Sequence, residues 1–141
     1  MGISITATKE IHDFDMGYGG FYSLRKNIAY CIDNTFGKLY EELFPCWNKD
    51  VAEEITRKTN EYIRENPDIF EDLDDVLDFL YAPDDGGTVS YKTCGKIYNL
   101  IKSVDFKDKC FRYGAYVHND YEEFKEFLKD CYSHRKNMRW H

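Results

Sequence analysis

Residues 68–85, DIFEDLDDVLDFLYAPDD, hold eight carboxylates and no Lys or Arg. Ile69, Phe70, Leu73, Val76, Leu77 and Leu80 recur at spacings of three and four, the period of a helix that buries one face. At about 100° per residue, Asp68, Glu71, Asp72, Asp74, Asp75 and Asp78 fall on a separate arc of the same wheel. The pattern predicts a helix from Ile69 to about Tyr81, capped by Asp68 and ended by Pro83 and the turn Asp84-Asp85-Gly86-Gly87. The pairs Glu71/Asp75 and Asp74/Asp78 repel at i, i+4, each by only about 0.2–0.5 kcal/mol, so the helix tolerates them.

Three uses compete for this anionic stripe. The simplest is a solvated face that aids solubility. The second is a docking face for a basic partner that handles nucleic acid, with Asp68, Glu71, Asp72, Asp74, Asp75, Asp78, Asp84 and Asp85 as contacts, because a row of carboxylates offers the charge pattern of a phosphate array. The third is a divalent cation site, since calcium and magnesium take oxygen ligands. An EF-hand fails on spacing. Setting Gly87 at the invariant glycine puts Ala82, Gly86 and Thr93 at positions 1, 5 and 12, which leaves three required ligands missing.

Upstream, Ile3 to Thr8 alternates as a short strand or extended arm. His12 to Gly20 (HDFDMGYGG) reads as a loop, because glycines so close together carry a high backbone entropy cost in a regular element. Gly17-Tyr18-Gly19-Gly20 leads into a helix, but no Walker lysine or GxGxxG follows, and Asp13 and Asp15 would repel a phosphate. A helix is expected from about Phe21 to Asn34 on the stripe Phe21, Leu24, Ile28, Cys31 and Ile32. After a break near Asn34 to Gly37, a short helix should run on Phe36, Leu39, Tyr40, Leu43 and Phe44 until Pro45. Asn48 caps the next, whose buried face is Val51, Ile55, Tyr62 and Ile63.

Downstream, Ser90 starts a helix with Cys94, Ile97, Tyr98 and Ile101 inward. Residues 104–118 have no clean period, and Phe111, Tyr113, Ala115 and Val117 could alternate as an edge strand. Asn119 and Glu122 resemble a capping box for the last helix, on which Tyr121, Phe124, Leu128, Cys131 and Tyr132 are apolar. The fold expected is α+β: one predominantly helical domain over 1–141, with about five helices and a small sheet from the terminal segments and residues 110–118.

The chain has 141 residues, 43% apolar and 17% aromatic, with a net charge of −7. That is enough to build one core. Residues 68–85 account for more than all of the net charge, leaving the remainder at +1. The acidity is therefore local, and a general basic grip on DNA or RNA is disfavoured. Five cysteines without a disulfide rhythm, no secretory leader pattern and no membrane-length apolar run point to a cytoplasmic setting with reduced thiols. Cys110, His118, Cys131 and His134 could supply a zinc site, although seven residues separate the first pair, where two to four are usual, and Cys131 falls on an apolar helix face. A cysteine with His12, His118 or His134 could serve a small hydrolase or transferase, but no nucleophile motif accompanies them. A non-enzymatic interaction protein without a cofactor is the leading expectation. Zinc stabilisation and a Cys/His enzyme are the alternatives.

Three stretches carry a family resemblance: GYGGFYSLRKNIA (17–29), DFLYAPDDGGTVSYKTCGKIYNLIK (78–102) and FKEFLKDCYSHRKNMRW (124–140). Through them the chain resembles a group of small uncharacterised proteins of Firmicutes and their phages and mobile elements. The resemblance carries over no catalytic residue and implies a bacterial host cell. By analogy with other small acidic proteins of mobile elements, it also implies an inhibitor of a host-defence complex of the anti-CRISPR kind, which occupies a nucleic-acid channel by charge.

Overall fold

The computed structural model describes residues 3–16, 18–105 and 115–141. The order along the chain is β1 (Ile3–Thr6), β2 (Phe14–Met16), α1 (Tyr18–Ile32), α2 (Asn34–Leu43), α3 (Lys49–Glu65), α4 (Asp74–Tyr81), β3 (Gly87–Val89), α5 (Tyr91–Ile101), α6 (Ala115–His134) and β4 (Met138–Trp140). It is an α+β arrangement dominated by helices, six of them among the described residues, with one antiparallel sheet in the order β2-β1-β4-β3.

The sheet draws on both terminal segments, but two of its four strands, β2 and β3, fall where none was expected. Residues expected to loop, 14–16, pair with β1 in the register Ile3↔Met16 and Ser4↔Asp15, and Ser4 Oγ donates to Asp15 Oδ1 at 2.7 Å. The next helix starts at Tyr18, so Gly19 and Gly20 are helical. Pairing with β1 outweighs the entropy cost of the two glycines, a tertiary contact overriding local preference. Of the segment expected to be an edge strand, 115–118 begins α6, and 106–114 lie outside the described residues. Asn119 is therefore inside a helix instead of capping it. The strand that replaces this expectation is β4, which follows α6 and runs between β1 and β3 with Ile5 and Gly87 both opposite Trp140. Residues on one face, Ile3, Ile5, Met16, Met138 and Trp140, are buried, while Arg139 points to solvent, the period-two alternation of a half-buried sheet.

The helices follow their apolar stripes more closely. Phe21, Leu24 and Ile28 of α1 are buried, and the chain breaks at Asp33, whose extended backbone and carboxylate cap α2 by accepting from Phe36 N at 3.0 Å. In α2, Gly37 lies against the ring of Tyr30, which leaves no room for a Cβ. Asn48 caps α3 as expected, accepting from Asp50 N at 2.9 Å and Val51 N at 3.2 Å. Val51 itself is 48% exposed, because α3 sits at the margin and buries chiefly Ile55 and Thr59. Ser90 caps α5 through Thr93 N at 3.2 Å, and Cys94, Ile97 and Ile101 are buried against α6.

The acidic segment departs most from its predicted form. Residues 67–72 form turns, Asp72 takes a left-handed φ of 60°, and α4 begins only at Asp74, with Leu73 at its N-cap position and no side-chain cap. Aspartate tolerates that conformation better than most residues. The turn lets Phe70 enter the core edge-on to Phe36, at 5.1 Å between centroids, which a helix continuous from Asp68 was not needed to provide.

Candidate functional site

The break at Asp72 sorts the eight carboxylates into two groups. Asp72, Asp75 and Asp84 are paired. Lys96, reaching from α5, lies 3.2 Å from Asp72 Oδ1 and 3.0 Å from Asp75 Oδ1, and donates to the Asp72 carbonyl at 2.8 Å. Thr93 Oγ1 donates to Asp75 Oδ2 at 2.6 Å. Asp84 pairs with Arg25, a buried arginine of α1. Asp68, Glu71, Asp74, Asp78 and Asp85 are exposed and make no ion pair among the described residues. The single arc of the helical wheel is therefore not formed. Of the eight carboxylates, three are engaged in ion pairs and five face water unpaired.

Burial alone would raise the pKa of Asp75, but the hydrogen bonds from Thr93 and Lys96 outweigh it and hold the carboxyl below its ordinary 3.8. A depressed native value stabilises the fold above the unfolded value, and the contribution is lost as pH falls below it. The Asp75→Asn variant should lose about 1 kcal/mol at neutral pH, a figure discounted for partial exposure, and the difference should shrink as pH falls below the ordinary carboxylate range. Urea midpoints measured across that range check the sign.

Next to the free carboxylates lies a groove of about 300 Å³ between α2, α3 and α4, with Leu43, Thr59, Ile63, Leu77, Asp78 and Tyr81 among its walls. Among the described residues Asp78 is the one charged residue lining it. Its lip is aromatic: Phe44 and Tyr81 stack at 6.0 Å, over Tyr40 at 4.4 and 5.5 Å from the same two rings. Tyr40 is anchored by donating to Leu80 O at 2.7 Å, and burial pushes its hydroxyl pKa well up. Phe44 is 40% exposed, and Trp47, three residues further on, is 97% exposed. Sequence reasoning placed Tyr40, Phe44 and Tyr81 only as helix residues and passed over Trp47. The available signal was Trp47 itself: an aromatic between Pro45 and the cap Asn48 belongs to no helix that could bury it.

The other candidates are dispersed. Cys131 is buried and its thiol meets Cys94; that hydrogen bond and burial together push its pKa far up, away from a thiolate ligand or nucleophile. His134, three residues along α6, is exposed. Cys110 and the side chain of His118 lie outside the described residues. Among the described residues no group of three or more His, Cys, Asp or Glu is placed to hold a metal ion. His12 is exposed at a hollow whose lining includes Glu122, Glu123, Glu126 and Asp130, with neither a cysteine nor a second histidine among the residues that line it. Among the described residues no helix is long and apolar enough to cross a membrane.

Comparison with protein-family models, curated proteins and solved structures finds no match to the chain.

Proposed function

We propose that the chain is a non-enzymatic interaction protein that docks a basic, amphipathic helical segment of a partner protein. The observation that carries this reading is the meeting, at Asp78 and Tyr81, of an unpaired carboxylate with an open apolar groove and exposed aromatic rings. A groove of this kind takes apolar anchors at i, i+3/i+4 and i+7 from a helix laid into it. The surrounding carboxylates select a segment whose other face carries Lys or Arg, and they make the encounter salt-sensitive. Exposed Phe44, Trp47 and Tyr81 supply the aromatic contacts that dominate binding energies at interfaces.

Basic partners of this type include proteins that handle nucleic acid, whose binding channels present Lys and Arg to phosphates. A mobile-element inhibitor that competes with nucleic acid for such a channel would use this surface as its decoy. The test is capture from bacterial lysate by the wild type and by the triple variant E71K/D74K/D78K. Because all three side chains are solvated, the variant should match the wild type in urea midpoint to within about 0.5 kcal/mol. It should also lose a partner that the wild type retains at low salt and releases at high salt. Undiminished capture by the variant would show the carboxylates to be only a solvated face.

A further inference from the structure

A second cleft, of about 680 Å³, opens between α5 and the C-terminal end of α6. Its chemistry is the inverse of the acidic segment. Tyr91, Lys92, Lys96, Asn99, Tyr132 and Arg135 line it, and among the described residues no carboxylate does. The charge of Lys96 is taken up by Asp72 and Asp75, whereas Lys92 and Arg135 make no ion pair among the described residues. Two unneutralised cations thus converge on one cavity of a chain whose net charge is −7.

The walls between them are aromatic. Tyr132 is 55% exposed although it continues the apolar stripe of α6, and its ring stands 6.4 Å from that of Tyr91 at 45°. It lies directly on the α5 backbone at Gly95, where a Cβ would collide with the ring, so the glycine creates the flat seat. Arg135 closes α6: its N–H donates to Tyr132 O at 3.3 Å, and the Lys136 N–H donates to Cys131 O at 2.9 Å. That pairing suits glycine at the left-handed position, yet an arginine holds it at φ 56° and lines the cleft.

We infer that this cleft binds a nucleoside phosphate, either free or as a unit of a single strand, with the base on Tyr132 and Tyr91 and the phosphate between Lys92 and Arg135. Stacking on exposed tyrosines accepts any base face, and the two cations complement a phosphate ester. Asn99, at the same cleft, can donate to and accept from a base edge. This site is independent of the acidic docking surface and does not restore a general grip on nucleic acid, because it has two free cations instead of a basic face.

Calorimetric titrations with AMP, inorganic phosphate and a single-stranded oligomer of about six nucleotides test the inference, with a tenfold change in affinity as the scale expected for losing one stacked base. Two variants are chosen to keep the fold: Tyr132→Ala removes a half-exposed ring, and Arg135→Gly relieves the left-handed backbone. AMP or the oligomer should bind saturably, and inorganic phosphate at least about tenfold more weakly than AMP, since it lacks the stacking ring. Tyr132→Ala should weaken binding by about tenfold, and Arg135→Gly by about fivefold with a Tm equal to or above that of the wild type. A preference for AMP assigns a free nucleotide, and tighter binding of the oligomer assigns a strand. The inference is overturned by the absence of saturable binding to both, by equal affinity for phosphate and AMP, or by binding that both variants leave unchanged.

Discussion

Arg25→Ala should destabilise the protein by about 4 kcal/mol, a large share of the roughly 5–15 kcal/mol available to a domain. The guanidinium is 1% exposed and serves the end of α4. Nη1 donates to the carbonyls of Phe79 at 3.1 Å, Leu80 at 3.3 Å and Ala82 at 2.7 Å, and Nη2 pairs with Asp84. These carbonyls end α4, where the dipole favours a cation and the helix has no basic residue in its own last turn; Phe79 O also accepts from Ala82 N and Leu80 O from the Tyr40 hydroxyl, which leaves Ala82 O the most dependent on Arg25. The charge also lies 4.4 Å from the centre of the Phe21 ring. Removing it strands the Ala82 carbonyl, weakens the pairing of the other two and opens a cavity between α1 and α4. Asp84→Asn, at a side chain 53% exposed, should cost less than about 1 kcal/mol. Chemical denaturation of the two variants separates the buried capping role from the partly solvated ion pair. Equal small losses would refute the capping account.

Trp140→Ala should cost about 3–5 kcal/mol, the range for removing a buried Trp or Phe. Its ring sits 6.0 Å from Phe21 and 5.5 Å from Phe79, joining the sheet to α1 and α4, and its indole Nε1 donates to Pro83 O at 3.0 Å. The other side of the indole rests on Gly87, its partner across the β3–β4 ladder, where a Cβ could not be accommodated. Trp140→Phe keeps the ring contacts but loses the hydrogen bond, and should cost about 1–2 kcal/mol. Thermal unfolding of the two variants gives the order expected, with the alanine form the less stable. A loss below about 1 kcal/mol for Trp140→Ala would mean that β4 does not hold the sheet to the helices.

Both residues show why the fold was only partly legible. The helical stripes of α1, α2 and α5 and the caps at Asn48 and Ser90 are local signals, and they appear where the spacing placed them. Arg25 lies within a good helix stripe, but its partners are 54 to 59 residues away, and no periodicity reports them. Trp140 carries no sequence signal of its strand, because a strand of three residues is too short to display alternation. Strands β2 and β3 are missed for the same reason, since each exists only by pairing with a neighbour.

The acidic site was legible as composition and misleading as geometry. One left-handed residue, Asp72, ends the assumption of a continuous wheel, and the long-range partners Lys96 and Arg25 then neutralise three carboxylates. What remains is smaller, and it borders an apolar groove that depends on how α2, α3 and α4 meet. No single helix in the sequence displays that groove.

The central claim is that the free carboxylates and the groove act together on a basic amphipathic helix. Its most direct measurement is a fluorescence titration of a synthetic helical peptide of about fifteen residues, leucine on one face and lysine on the other. Trp47, exposed beside the aromatic lip in sequence, serves as reporter, while Trp140 stays buried. The account predicts saturable binding at about 0.05 M salt, at least about tenfold weaker at about 0.5 M, and a comparable loss at low salt for E71K/D74K/D78K. An affinity indifferent to both the salt and the triple variant, or no binding by the wild type at low salt, would contradict it.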